Sequence, residues 1–121
     1  MISKNEIIAA FGEGWAKQDP TSVMSLIAKE ELQYYESAFE EPTGDWAGVS
    51  KLWNVIRSNQ SDVVWWHEIL LEDDNKALAH VKVQRTLQPS GIKQDIDGAF
   101  LFGFDSSGKI NYFRQWRALA E

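Results

Sequence analysis

The sequence predicts an α+β domain, with helices packed on one face of an antiparallel sheet. Two observations carry this. Apolar residues recur at helical spacing before residue 59, and runs rich in β-branched and aromatic residues, split by Asp, Gly, Pro and Ser turns, fill the rest. Helices followed by a meander of strands is the order expected of helices segregated to one side of an antiparallel sheet. A third observation concerns the strand at 63–72. Val63, Trp65, Ile69 and Leu71 fall on one face, and Val64, Trp66 and Leu70 on the other. A singly covered antiparallel sheet alternates polar with apolar, so both faces of this strand need cover.

The elements follow in order. Ser3-x-x-Glu6 is a capping box, and Ile7, Ile8, Phe11 and Trp15 continue it as a helix over 4–17. Asp19-Pro20 reads as an N-cap with proline at N1, opening a short helix through Val23, Met24, Leu26 and Ile27. Residues 32–36 form a brief strand and 40–45 a loop. Leu52, Trp53, Val55 and Ile56 give an apolar face to a third helix over 49–58. Strands are then expected at 63–72, 77–88, 94–104 and 109–117, separated by Asp73-Asp74-Asn75-Lys76, Pro89-Ser90-Gly91 and Asp105-Ser106-Ser107-Gly108.

Composition narrows the function classes. A chain of 121 residues is one domain, 1–121, large enough for a core of its own. It has no cysteine, which excludes disulfides, thiolate catalysis and cysteine-held metals. The net charge of −6, with basic residues scattered, argues against nucleic acid as a partner. No apolar run approaches the roughly 20 residues of a membrane span, and the first residues lack a signal-peptide pattern, so a cytoplasmic protein without a membrane partner is expected. Six Trp, six Phe and three Tyr exceed what a minimal core needs, and Trp carries an N–H that favours pocket walls and interfaces.

The phrase Asp97-Gly98-Ala99-Phe100-Leu101-Phe102-Gly103-Phe104-Asp105-Ser106-Ser107-Gly108-Lys109-Ile110, followed by Phe113-Arg114-Gln115-Trp116, resembles the ending of many SnoaL-like proteins. So does the opening, where a long helix ends at Trp15-Ala16-Lys17-Gln18-Asp19 and Ala47-Gly48 leads into a third helix. The whole chain is similar to the nuclear transport factor 2-like, or cystatin-like, superfamily. The resemblance implies a cone whose curved sheet wraps the N-terminal helices and leaves a cavity at its open end. It implies no single reaction, because the fold hosts isomerases, cyclases, dehydratases, hydrolases and binders. A comparison with the ketosteroid-isomerase branch, anchored on Asp19 and Phe104-Asp105, puts Phe11 at the oxyanion tyrosine, Tyr35 at the carboxylate base and Phe100 at the oxyanion carboxyl. None of the three supplies the required group.

Candidate site residues follow from the strand pattern and the resemblance together. His67 sits among Trp65, Trp66 and Ile69, as a general base or as a hydrogen-bonded wall residue. Arg85 shares a strand face with Val81, Val83 and Leu87, as a clamp for a ligand carboxylate or phosphate or as the partner of Asp95 or Asp97. His80 goes with Lys82, Gln84 and Thr86 to the solvent face. By the resemblance, the face bearing Gln115 lines the cavity and Tyr35 places a hydroxyl at its mouth. The expected site is thus His67, Arg85 and Tyr35 as catalytic groups, with Trp15, Trp53, Trp65, Phe100 and Gln115 around the ligand. Few polar groups within apolar walls describe a small-molecule pocket. Two histidines 13 apart with no arranged carboxylates give no metal site, and no cofactor is implied. Gly12-Glu13-Gly14 lies inside a helix and is no phosphate loop. Three functional readings remain open: a cofactor-free acid–base enzyme, a non-catalytic ligand binder, or a structural dimer. The doubly apolar strand, together with Trp116, points to a homodimer through the sheet's outer face.

Overall fold

The computed structural model of the chain describes residues 2–37 and 39–121. The order is α1 (Lys4–Ala16), α2 (Pro20–Met24), β1 (Gln33–Tyr35), α3 (Trp46–Asn59), β2 (Gln60–Glu72), β3 (Lys76–Leu87), β4 (Lys93–Phe104) and β5 (Ile110–Ala120). The five strands form one curved, unclosed sheet in the order β1-β5-β4-β3-β2, all antiparallel except that β1 runs parallel to β5. The fold is the α+β cone the sequence predicts.

The caps work as their residue types require. Ser3 accepts the Glu6 N–H while the Glu6 carboxylate accepts the Ser3 N–H, closing the capping box of α1. Asp19 accepts from the Ser22 N–H to start α2. The helix α3 begins at Trp46, three residues before the sequence expectation, because Asp45 accepts the Gly48 N–H at 2.7 Å and so acts as its N-cap. Gly12 has a packing role, since a Cβ there would collide with the Trp65 indole. The same glycine that resembles a loop motif is what lets α1 settle onto β2.

Two irregularities in β2 decide which side chains face inward. Register shifts occur between Ser61 and Val64 and between Ile69 and Leu71. The second is a bulge in which Leu70 is the extra residue, so Leu71 pairs with Leu78 on the outer face. Leu71 therefore leaves the inner set predicted for it and is 70% exposed, while Val63 stays buried inside. Between the bulges, strict alternation holds. Trp65, His67 and Ile69 point inward and Val64, Trp66 and Glu68 outward, as expected.

The core is aromatic. Phe11 meets Trp53, Trp65 and Phe102 edge-on at centroid distances of 5.4, 5.9 and 5.4 Å. Tyr34 stacks on Phe113 at 4.6 Å. Such pairs contribute about 0.5–1.5 kcal/mol each beyond the area they bury. No helix among the described residues is long and apolar enough to cross a membrane.

Candidate functional site

A narrow cavity opens at the wide end of the cone, between α1, α3, the end of β1 and the inner faces of β3, β4 and β5. Its walls are Phe11, Trp15, Trp53, Phe100 and Phe113, with Ile56 at the rim. Its polar groups are Tyr34, Glu36, Arg85, Gln115 and Arg117. The unfilled space out to the opening is about 280 Å³, but the enclosed cavity is only about 20 Å³, on the order of one water. Aromatic side chains fill most of the interior that the cone would otherwise leave open.

Strand alternation places the polar set. β1 sends Tyr34 inward and Tyr35 outward, so Glu36, the next residue, turns back into the cavity. Gln115 donates from Nε2 to the Glu36 carbonyl at 2.8 Å, which ties the end of β1 to β5. Arg117 lies two residues further on the same face and donates to Gln115 Oε1 at 3.4 Å. On β3, Arg85 points inward and donates from both Nε and Nη2 to Gln94 Oε1, the Nε bond measuring 2.9 Å. Asp97 faces outward and pairs with His80 at 2.7 Å instead.

The electrostatics of this group are uneven. The Glu36 carboxylate accepts no hydrogen bond and joins no ion pair among the described residues. Burial pushes its pKa up, Glu40 adds to the rise, and Arg117 and Arg85 pull against it. Burial lowers the pKa of Arg85, Arg117 lowers it further, and Glu36 opposes both. A guanidinium stays charged at any ordinary pH, so Arg85 holds its charge against a neutral amide with no carboxylate bound to it. Two arginines against one carboxylate leave the cavity net positive. Tyr34 is fully buried and its pKa stands well above the usual phenol value, mainly through burial, so it remains a neutral hydroxyl.

The structure brings Arg85, Gln115, Trp15, Trp53 and Phe100 together on the cavity. It does not bring Tyr35 or His67 there. Tyr35 lies opposite Arg114 in the parallel pairing of β1 with β5, and its ring packs under that guanidinium at 4.5 Å on the outer face. His67 points inward but lies against the start of α1. Its Nδ1 accepts from Trp65 Nε1 at 2.9 Å and its Nε2 meets Asn5 Oδ1 at 2.8 Å. Burial lowers its pKa, and both ring nitrogens are occupied, the arrangement expected of a hydrogen-bonded wall residue. Trp65 packs behind the wall against Phe11, Trp15 and Phe100.

Sequence reasoning did not name Glu36 and Arg117, which line this cavity. A signal existed for both: each stands two residues from an inward-facing residue, Tyr34 and Gln115, on the same strand or its continuation. Glu36, the residue after Tyr35, is the carboxylate that lines the cavity.

No protein-family model and no curated protein matches this sequence significantly. Solved structures do. One is SalBIII, described as an epoxide hydrolase/cyclase-like enzyme with a role in pyran ring formation in the polyether salinomycin. It superposes with a TM-score of 0.83 at 14% identity, covering 96% of this chain and 93% of that one. A Mycobacterium tuberculosis protein in complex with estradiol-17beta-hemisuccinate gives 0.79 at 11%, covering 95% of both chains. The Delta 5-3-ketosteroid isomerase of a Mycobacterium species gives 0.77 at 13%, covering 94% of this chain and 95% of that one. The likeness shows the fold, an α+β cone that this chain shares with a cyclase-like enzyme, a ketosteroid isomerase and an NTF2-like protein of unknown function.

Proposed function

We propose that this protein binds a compact, mostly apolar organic anion at the wide end of the cone and performs cofactor-free acid–base chemistry on it. Arg85 and Arg117 orient the anion, and Glu36 moves the proton. The observation that carries this reading is a half-buried carboxylate that accepts no hydrogen bond among the described residues, in a cavity it shares with two guanidinium groups. Burial raises the Glu36 pKa, which is the direction general acid–base catalysis asks of a carboxyl. Trp15, Trp53 and Phe100 supply apolar cover, and Gln115 positions Glu36 by holding its carbonyl. The narrowness of the cavity argues for a ligand of few non-hydrogen atoms. An enclosed space this small favours a ligand well short of a steroid in size.

The test is a panel of small carboxylates, scored for proton-transfer turnover over a range of pH. A rate governed by one group titrating above the ordinary glutamate range, and reduced about 10²–10⁴-fold in Glu36→Gln, is the expected result. Turnover that survives Glu36→Gln would sink the catalytic assignment. The second reading is a non-catalytic binder, favoured by how completely aromatic rings fill the interior. On that reading Glu36→Gln tightens anion binding and there is no reaction to lose.

We also infer a homodimer through the outer face of the sheet. Val64, Trp66 and Trp116 are exposed there by 58%, 46% and 42%, and Leu70 and Leu71 extend the patch. Lys82 lies over the Trp66 ring, and Asp95 and Asp97 stand nearby. A two-fold contact needs a patch that complements itself, and mixed charge around apolar residues does so. Sedimentation at micromolar concentration tests it, and a clean monomer would overturn it.

A further inference from the structure

The tryptophans of this chain do not share one hydrogen-bonding state. Trp15 donates its indole N–H to Gln60 Oε1 at 3.0 Å, Trp46 to the Met24 carbonyl at 3.2 Å, and Trp65 to His67 at 2.9 Å. Trp53 is as buried as Trp15, at 4% against 5% exposure, yet its Nε1 has no partner among the described residues. An orphaned buried indole N–H is costly to the fold if nothing ever meets it. Trp53 and Tyr34 both line the cavity, and burial keeps the Tyr34 phenol neutral. The Trp53 N–H lies near enough to that hydroxyl to favour its ionised form, though the two do not reach hydrogen-bond geometry.

We infer that the Trp53 indole N–H and the Tyr34 hydroxyl form a second subsite, which reads a neutral oxygen acceptor on the ligand. The inference rests on the ligand-binding reading above and adds a chemical requirement to it. The arginines take a carboxylate, whereas two uncharged donors in an aromatic setting suit a carbonyl or ether oxygen. A full anion in their place would lose its hydration with no counter-charge in contact. The two donors also differ from the arginines in freedom. Trp53 is wedged edge-on between Phe11 and Trp15, and Tyr34 is stacked on Phe113, so neither swings to follow a misplaced oxygen. The ligand class that satisfies both subsites is a short acid bearing an internal carbonyl or ether oxygen.

The experiment uses ¹⁵N-labelled full-length protein and the indole N–H signal of Trp53, assigned on the wild-type chain through its own ring protons. Three probes are titrated: 4-oxopentanoate, pentanoate and 2-pentanone. Both ketones should move the Trp53 N–H proton downfield, and pentanoate should bind without moving it. The oxo-acid should bind more tightly than pentanoate by on the order of fivefold, a margin lost in Trp53→Phe and reduced in Tyr34→Phe. Ketones that move the signal while neither acid outbinds 2-pentanone would uphold this subsite and remove the arginine clamp. A Trp53 signal unmoved by both ketones, or moved equally by pentanoate, would overturn the inference whatever the variants do.

Discussion

His67 and Glu36 are both ionisable, both partly withdrawn from water, and both on the concave side of the same sheet, yet the chain uses them in opposite ways. The imidazole has a partner at each nitrogen, Trp65 on one side and Asn5 on the other. The carboxylate has none among the described residues, and only its backbone carbonyl is tied down. A polar group whose valences are all met locally holds structure together. One that is buried and left unmet is costly to the fold and is available to a ligand. On the function proposed above, hydrogen-bond saturation rather than residue type is what distinguishes the two. Histidine is the commoner catalytic residue, and here it is the one whose nitrogens are both met.

The largest effect that would sharpen this contrast lies in the anion clamp. Arg85→Gln should weaken a small carboxylate about tenfold or more, the scale of a charge-assisted hydrogen bond, and barely change its neutral amide analogue. Tryptophan fluorescence reports the binding, since Trp15 and Trp53 line the cavity. Equal losses for acid and amide would mean that Arg85 only braces β4 through Gln94.

A smaller effect of opposite sign is expected at the carboxylate. Glu36→Gln removes like charge facing the ligand and should tighten carboxylate binding roughly fivefold at pH 8, about 1 kcal/mol. The difference from wild type should vanish as pH falls and Glu36 takes up its proton. A constant ratio at all pH values would show that Glu36 is not near the ligand.

The smallest binding effect belongs to His67, where His67→Gln should leave carboxylate affinity within about twofold. Its signature lies in stability instead, and the two groups should slope in opposite directions with pH. The His67 pKa is lowered by burial from its ordinary 6.5, so its contribution is complete above 6.5 and drains away as pH falls towards the folded value. The Glu36 pKa is raised from 4.5, so its contribution is complete below 4.5 and is lost as pH rises through the folded value. Thermal melts from pH 4 to 8 should therefore show Glu36→Gln gaining on wild type at high pH, and His67→Gln losing its acid-side decline. Parallel curves for both variants would break the contrast.

Much of the fold was legible because its signals are local. Ser3 with Glu6, Asp19 with Pro20, and the Asp105–Gly108 turn state their geometry in adjacent residues. Alternation along β3 and β4 correctly sends Arg85 inward and Asp97 outward. What was hidden depends on single-residue register. β1 is three residues long and reads Gln-Tyr-Tyr, so its pattern does not say which tyrosine faces in. Tyr34 took the inner place and carried Glu36 with it. The bulge at Leu70 has no local mark, and it moved Leu71 across the sheet. The His67–Asn5 bond spans 62 residues, beyond any local pattern.

The partner chosen for Arg85 has a consequence of its own. Gln94 accepts from the guanidinium through a carboxamide oxygen, which fixes the direction of the fork while leaving its charge unspent. Replacing one NH₂ group by an oxygen, as in Gln94→Glu, would keep the shape and close the circuit internally. The site would then sit neutral, geometrically intact and indifferent to anions. A chain built on this plan can thus be muted or tuned by a single codon outside every wall and donor of the cavity, without disturbing a single strand.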